Sequence, residues 1–273
     1  MRTLTGVLLA GAAAIAPAAS AHDFWLEPES YWLDEETSVA VDIFTGHGED
    51  KAHWPAAPHR IVGFRSFGPG GVTSQMAGAE TFAEKPVVQL TDPGLHMLVL
   101  ESTNAFSELP ADKFTSYVEE EGILPIAADR AANRLDEAAG RELYSRRGKA
   151  LIQRGCAADA EPIWAQPLGL TLEVVAVDNP FAWDEGEAFE VEVQFYGETV
   201  PSATLHVTNL DGAGEDFTTK TDEDGRADLG GSLSEGRWLV HTVWSEPVDG
   251  LLNEADYQTV FSSFTFETET GCE

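Results

Sequence analysis

The sequence predicts a mainly β protein, with two antiparallel β-sandwich domains joined by a helical segment. Three observations predict it. Short runs alternate apolar and polar residues across 22–105 and again across 161–273, the period of strands with one wet face. Gly- and Pro-rich turns punctuate those runs, as in Gly68-Pro69-Gly70-Gly71. Between them, residues 106–160 trade β-branched residues for Ala, Glu, Arg and Leu, which favour helix. A chain of 273 residues suits one large or two modest domains.

Residues 1–21 read as a cleaved export signal. Arg2 gives a positive start, residues 4–16 are apolar, and Ala19-Ser20-Ala21 is a small-residue cleavage site. Export implies a periplasmic protein that does not insert in the membrane once cleaved. In that compartment disulfides persist, and Cys156 and Cys272 are the two candidates for one bridge. In the first sandwich (22–105), residues 38–44 alternate, with Val39, Val41 and Ile43 on one side. Residues 61–67, 86–90 and 95–101 are further strand candidates, the last opened by the turn Thr91-Asp92-Pro93-Gly94. In the insert (106–160), helices are expected over 111–121, 127–139 and 141–154. In the second sandwich (161–273), strands are expected over 168–177, 188–196, 203–208, 237–244 and 257–267.

The charge balance is 47 acidic to 16 basic residues, a formal net charge of −31. That excludes nucleic acid as a partner, because phosphate contacts need clustered Lys and Arg. Seven of the basic residues nevertheless fall between 130 and 154: Arg130, Arg134, Arg141, Arg146, Arg147, Lys149 and Arg154. They read as a helical hairpin docked on an acidic body, or alternatively as a basic dock for a partner. No G-x-S-x-G, Walker loop, dinucleotide fingerprint or H-E-x-x-H occurs, so nothing supports an ordinary hydrolase.

Histidine carries the chemical signal. Cleavage after Ala21 makes His22 the first residue. Its free amine and imidazole can then chelate a metal together, and one more imidazole completes a three-nitrogen site. Such a site suits Cu²⁺ or Ni²⁺, which favour square or tetragonal nitrogen and oxygen ligation. His47, in a loop-like Gly46-His47-Gly48, is the next expected ligand, and Asp23 offers an oxygen. His53 and His59 flank Trp54-Pro55 and are further candidates. His96 is another, although its parity with Leu98 and Leu100 reads first as a packed residue. By the same parity His206 reads as solvent-facing and His241 as packed.

The run His22-Asp23-Phe24-Trp25-Leu26-Glu27-Pro28 after an export signal resembles the opening of the DUF4198 family of exported bacterial proteins. The likeness continues through Lys113-Phe114, Arg141-Glu142-Leu143-Tyr144-Ser145-Arg146-Arg147-Gly148-Lys149-Ala150-Leu151, Asn179-Pro180, Thr221-Asp222-Glu223-Asp224-Gly225-Arg226-Ala227 and Gly236-Arg237-Trp238-Leu239-Val240. The resemblance implies two Ig-like β-sandwich domains, the second similar to carboxypeptidase-regulatory or Cna-B modules. It also implies a NikM-like place in nickel or cobalt uptake, with a membrane metal transporter as partner. Two other readings compete with this metal-binding, non-enzymatic role. One is an envelope binding or structural module without metal. The other is a histidine-brace copper oxidase or oxygenase.

Overall fold

A computed structural model describes residues 23–47, 50–55, 57–77, 85–156, 162–212, 215–248 and 255–268. The expected export signal, His22 and Cys272 lie outside the described residues, as do the side chains of His47 and Asp50. The chain is mainly β, with several antiparallel sheets. Among the described residues there are three sheets and two α-helices. No helix among them is long and apolar enough to cross a membrane.

The first small sheet pairs β1 (Asp23–Pro28), β3 (Ser38–His47) and β4 (Asp50–His53), with β7 (Val87–Gln89) also on β3. The second small sheet joins β11 (Leu172–Ala176), β12 (Glu190–Phe195), β13 (Glu198–Thr199) and β16 (Arg226–Asp228). Between them runs a ten-stranded sheet. Its order is β15 (Phe217–Lys220), β14 (Thr204–Asn209), β17 (Arg237–Pro247), β18 (Tyr257–Glu267), β10 (Gly140–Arg154), β8 (Gly94–Ser102), β5 (Ile61–Gly68) and β6 (Gly71–Ser74). The short strands β2 (Trp32–Leu33) and β9 (Ala105–Leu109) also pair with β10.

Side-chain parity shows how the layers stack. On β8, Leu98 and Leu100 join the core of the first small sheet with Phe24, Leu26 and Val41. Their neighbours Met97 and Val99 point the other way and join the core of the second small sheet with Val174, Val191 and Phe264. On β10, Ala150 and Ile152 go with the first core and Leu151 with the second. The long sheet is therefore apolar on both faces, with one small sheet over each.

This arrangement corrects the expected helical linker. Among the described residues of 106–160, only α1 (Ala111–Glu120) and α2 (Leu124–Asn133) are helical, and the expected helix over 141–154 is β10, a 15-residue strand. Intrinsic preference for helix loses here to tertiary context. β10 sits between β18, its parallel neighbour, and β8 and β9, its antiparallel ones. A strand buried on both faces loses the alternation that marks strands in sequence. Gly148 fits the strand reading. A Cβ there would lie 3.0 Å from Phe24 Cε1 and 3.3 Å from Leu26 Cγ, so β1 packs directly on the bare backbone. The second helix also starts earlier than expected. Pro125 opens α2, because proline in the first turn lacks only an N–H that the helix leaves unpaired.

The basic block is used internally. Arg141 donates to both Asp256 oxygens, at 2.9 and 2.6 Å. Arg154 donates to the carbonyls of Glu36 and Thr91. Lys149 pairs with Glu173 inside the core. These contacts leave little of the block as a helical surface for a partner.

One glycine tests the packing of the second half. A Cβ on Gly230 would fall 2.0 Å from the Glu187 carbonyl oxygen and 2.6 Å from the Phe189 nitrogen, both backbone atoms that cannot rotate away. Gly230→Ala is expected to cost about 1–3 kcal/mol of stability. Urea unfolding checks this, and an unchanged midpoint would contradict the packing described.

Candidate functional site

The site forms where β1, β14, β17 and the end of α1 meet. Asp23 opens β1, and its Oδ1 lies 3.3 Å from Nε2 of His241 on β17. His241 stands directly across from His206 on β14. The two imidazoles stack, with ring centres 4.7 Å apart and planes 10° from parallel. His206 Nε2 lies 3.3 Å from Glu121 Oε2. Each imidazole thus faces a carboxylate. Both acids are buried, as is His241.

Local backbone explains how Glu121 reaches this place. It caps α1, and the next residue, Gly122, turns the chain with φ of 63°. That left-handed turn suits glycine. A Cβ there would also sit 2.2 Å from Thr204 Oγ1, so the absence of a side chain lets the helix end press onto β14.

The groups surround a cavity of about 220 Å³, lined by Asp23, Glu120, Glu121, Asp216, His206 and His241, with Thr208 and Thr218 at its wall. Four carboxylates around two imidazoles make the cavity attractive to cations. Burial opposes protonation of His206, but the Glu121 carboxylate, backed by Asp23 and Glu120, outweighs it and raises its pKa above the ordinary imidazole value. Although 3.3 Å apart, His206 Nε2 and Glu121 Oε2 are buried and form no hydrogen bond of good geometry.

Of the residues expected to bind metal, Asp23 is in this cavity. His22 precedes it and lies outside the described residues. His47 follows Gly46, the β3 partner of Asp23, so its backbone belongs to the same end of the sheet. The others are elsewhere. His53 is exposed, 3.5 Å from Asp42 and stacked near Phe44. His59 is exposed in the single turn Pro58–Arg60. His96 is buried, with Nε2 2.7 Å from the Asp92 carbonyl oxygen. Sequence reasoning missed His206 and His241 as a pair. They share a face with Thr204, Thr208, Leu239 and Val243, but only the β14–β17 register sets one opposite the other. Among the described residues, no three His, Cys, Asp or Glu side chains converge closely enough to hold a metal by themselves.

A comparison with curated proteins gives no match. The family model described as a domain of unknown function, DUF4198, matches residues 19–246, which take in Asp23, the helices, both histidine strands and the whole cavity. The chain therefore belongs to the DUF4198 family.

Proposed function

We propose that this protein binds a divalent transition metal, Ni²⁺, Co²⁺ or Cu²⁺, at the acidic two-histidine cavity. The observation that carries the reading is the stacked pair of His206 and His241, each facing a carboxylate beside the first residue of β1. Imidazole and carboxylate together suit late first-row divalent ions. In the proposed form, the export signal is removed after Ala21 and the chain works in the periplasm. His22 then contributes its amine and imidazole next to Asp23, which supplies the missing nitrogen ligands, and His47 stands as an alternative ligand. The protein acts as a carrier in a NikM-like role, handing the ion to a membrane transporter. The two packed halves are read as Ig-like sandwich units that share the long sheet. Cys156 and Cys272 are proposed to form a disulfide that ties down the C-terminal tail.

Calorimetry with Ni²⁺ and Cu²⁺ tests the site. Protein beginning at His22 is expected to bind at least about tenfold more tightly than protein with one extra N-terminal residue. His206→Ala and His241→Ala are each expected to weaken binding by a similar factor. Equal affinity in the first comparison removes the N-terminal amine from the site. Unchanged affinity in the double histidine variant removes the cavity.

A further inference from the structure

A second polar site lies at the end of β8, on different residues from the histidine cavity. There Ser102 and Thr103 hold two arginines close together. Ser102 Oγ accepts the Arg146 amide at 2.9 Å, and the Thr103 amide donates to the Arg60 carbonyl oxygen at 2.8 Å. Arg146 is only 8% exposed. Its guanidinium carbon lies 4.8 Å from the Tyr144 ring centre, 5.7 Å from Phe261 and 5.8 Å from Phe24.

Both arginines keep unused donors, although Arg146 also hydrogen-bonds Tyr144. The Arg146 Nε, and the Nε and Nη2 of Arg60, are buried without hydrogen bonds among the described residues. The ion pairs formed by neighbouring arginines go elsewhere: Arg65 and Arg147 both turn to Glu101. Glu142 is the acid that acts on Arg146, but burial favours its neutral form and lifts its pKa to about 7. Burial lowers the Arg146 pKa, Tyr144 raises it, and the Arg60 charge lowers it again, which places the two cations in each other's field. Two like charges with unsatisfied N–H donors are costly away from water. A guanidinium fork is matched best by a planar or tetrahedral oxyanion, and aromatic faces hold its plane in position.

From this geometry we infer that Arg60 and Arg146 form a binding site for an oxyanion group, a phosphate or a carboxylate on a small ligand. The chain carries 47 acidic residues against 16 basic ones, so its overall field repels anions. Saturable anion binding would therefore report this local pair and not a general surface attraction.

The test uses the full metal-free protein, titrated calorimetrically with inorganic phosphate and with citrate at fixed ionic strength, chloride serving as reference. At least one anion is expected to bind saturably and to raise the thermal midpoint above that in chloride. Arg60 is half-buried, so Arg60→Gln should keep the fold while weakening that binding about tenfold or more. Arg60→Lys, which keeps the charge but not the fork, should fall between. Binding of phosphate alone assigns a phosphate-bearing ligand, and binding of citrate alone a polycarboxylate. No saturable binding of either anion, or binding unchanged in Arg60→Gln, overturns the inference.

Discussion

Replacing Lys149 with alanine is expected to destabilise the protein by about 3–5 kcal/mol, the cost typical of stranding one member of a buried ion pair. Lys149 and Glu173 are each about 1% exposed, with Nζ and Oε1 2.9 Å apart. Burial lowers the Lys149 pKa, and the Glu173 carboxylate opposes that shift. Without the ammonium, Glu173 would remain in the core with only neutral donors, the amides of Leu168 and Leu170. Those amides dictate the compensating change. Glu173→Gln keeps an acceptor oxygen for them but removes the charge. The pair Lys149→Met with Glu173→Gln should therefore recover most of the loss. Urea unfolding with an unchanged slope measures both. A loss below about 1 kcal/mol in Lys149→Ala would show that the pair is not ionic in the folded protein.

The second large effect is a pH dependence centred on Glu142. Burial raises its pKa from 4.5 to about 7, against the opposing influence of the Thr259 hydroxyl, which donates to Oε2 at 2.7 Å, and of Arg146. The folded state thus holds a proton on Glu142 that the unfolded state has already lost between about pH 4.5 and 7. Stability falls as pH rises through that window and levels off above it. The full difference is on the order of 3 kcal/mol. Glu142→Gln mimics the protonated group at every pH. It should match the wild type near pH 4.5 and exceed it at pH 8. Unfolding both proteins across that range isolates the effect, since all other groups cancel. A gap that does not change with pH would show that Glu142 does not titrate in this range.

Elements with one wet face were legible in the sequence. Residues 188–196 read as a strand and hold β12, where Val191, Val193 and Phe195 are buried as their alternation implies. The acidic run 221–226 forms a turn, closed by Asp222 Oδ1 accepting the amides of Asp224 and Arg226. β10 was not legible, because Arg146, Lys149 and Glu142 are buried polar residues and its apolar residues serve two cores at once. The strand read as part of a linker contributes side chains to both cores. Of the cavity lining, only Asp23 is singled out by the sequence as a candidate ligand. Asp23 stands in a local motif, whereas His206 and His241 meet only because β14, with β15 on one edge, takes β17 on the other. Glu121 reaches them through the end of a helix and a glycine turn, a placement that no spacing along the chain encodes.

The parallel pairing of β10 with β18 has a consequence for the order in which the molecule can be made. Glu142 and Thr259, bonded across that seam, are 117 residues apart. A chain emerging from its N-terminus can lay β8 and β9 against β10, with β5 on β8, but the edge of β10 that takes β18 stays open until that last strand arrives. Closing such distant contacts is entropically slow. β18 is also the antiparallel neighbour of β17, so a single late strand completes both halves. A chain terminated before Tyr257 would leave two facing strand edges bare and would be expected to lose the whole fold, not merely its final segment.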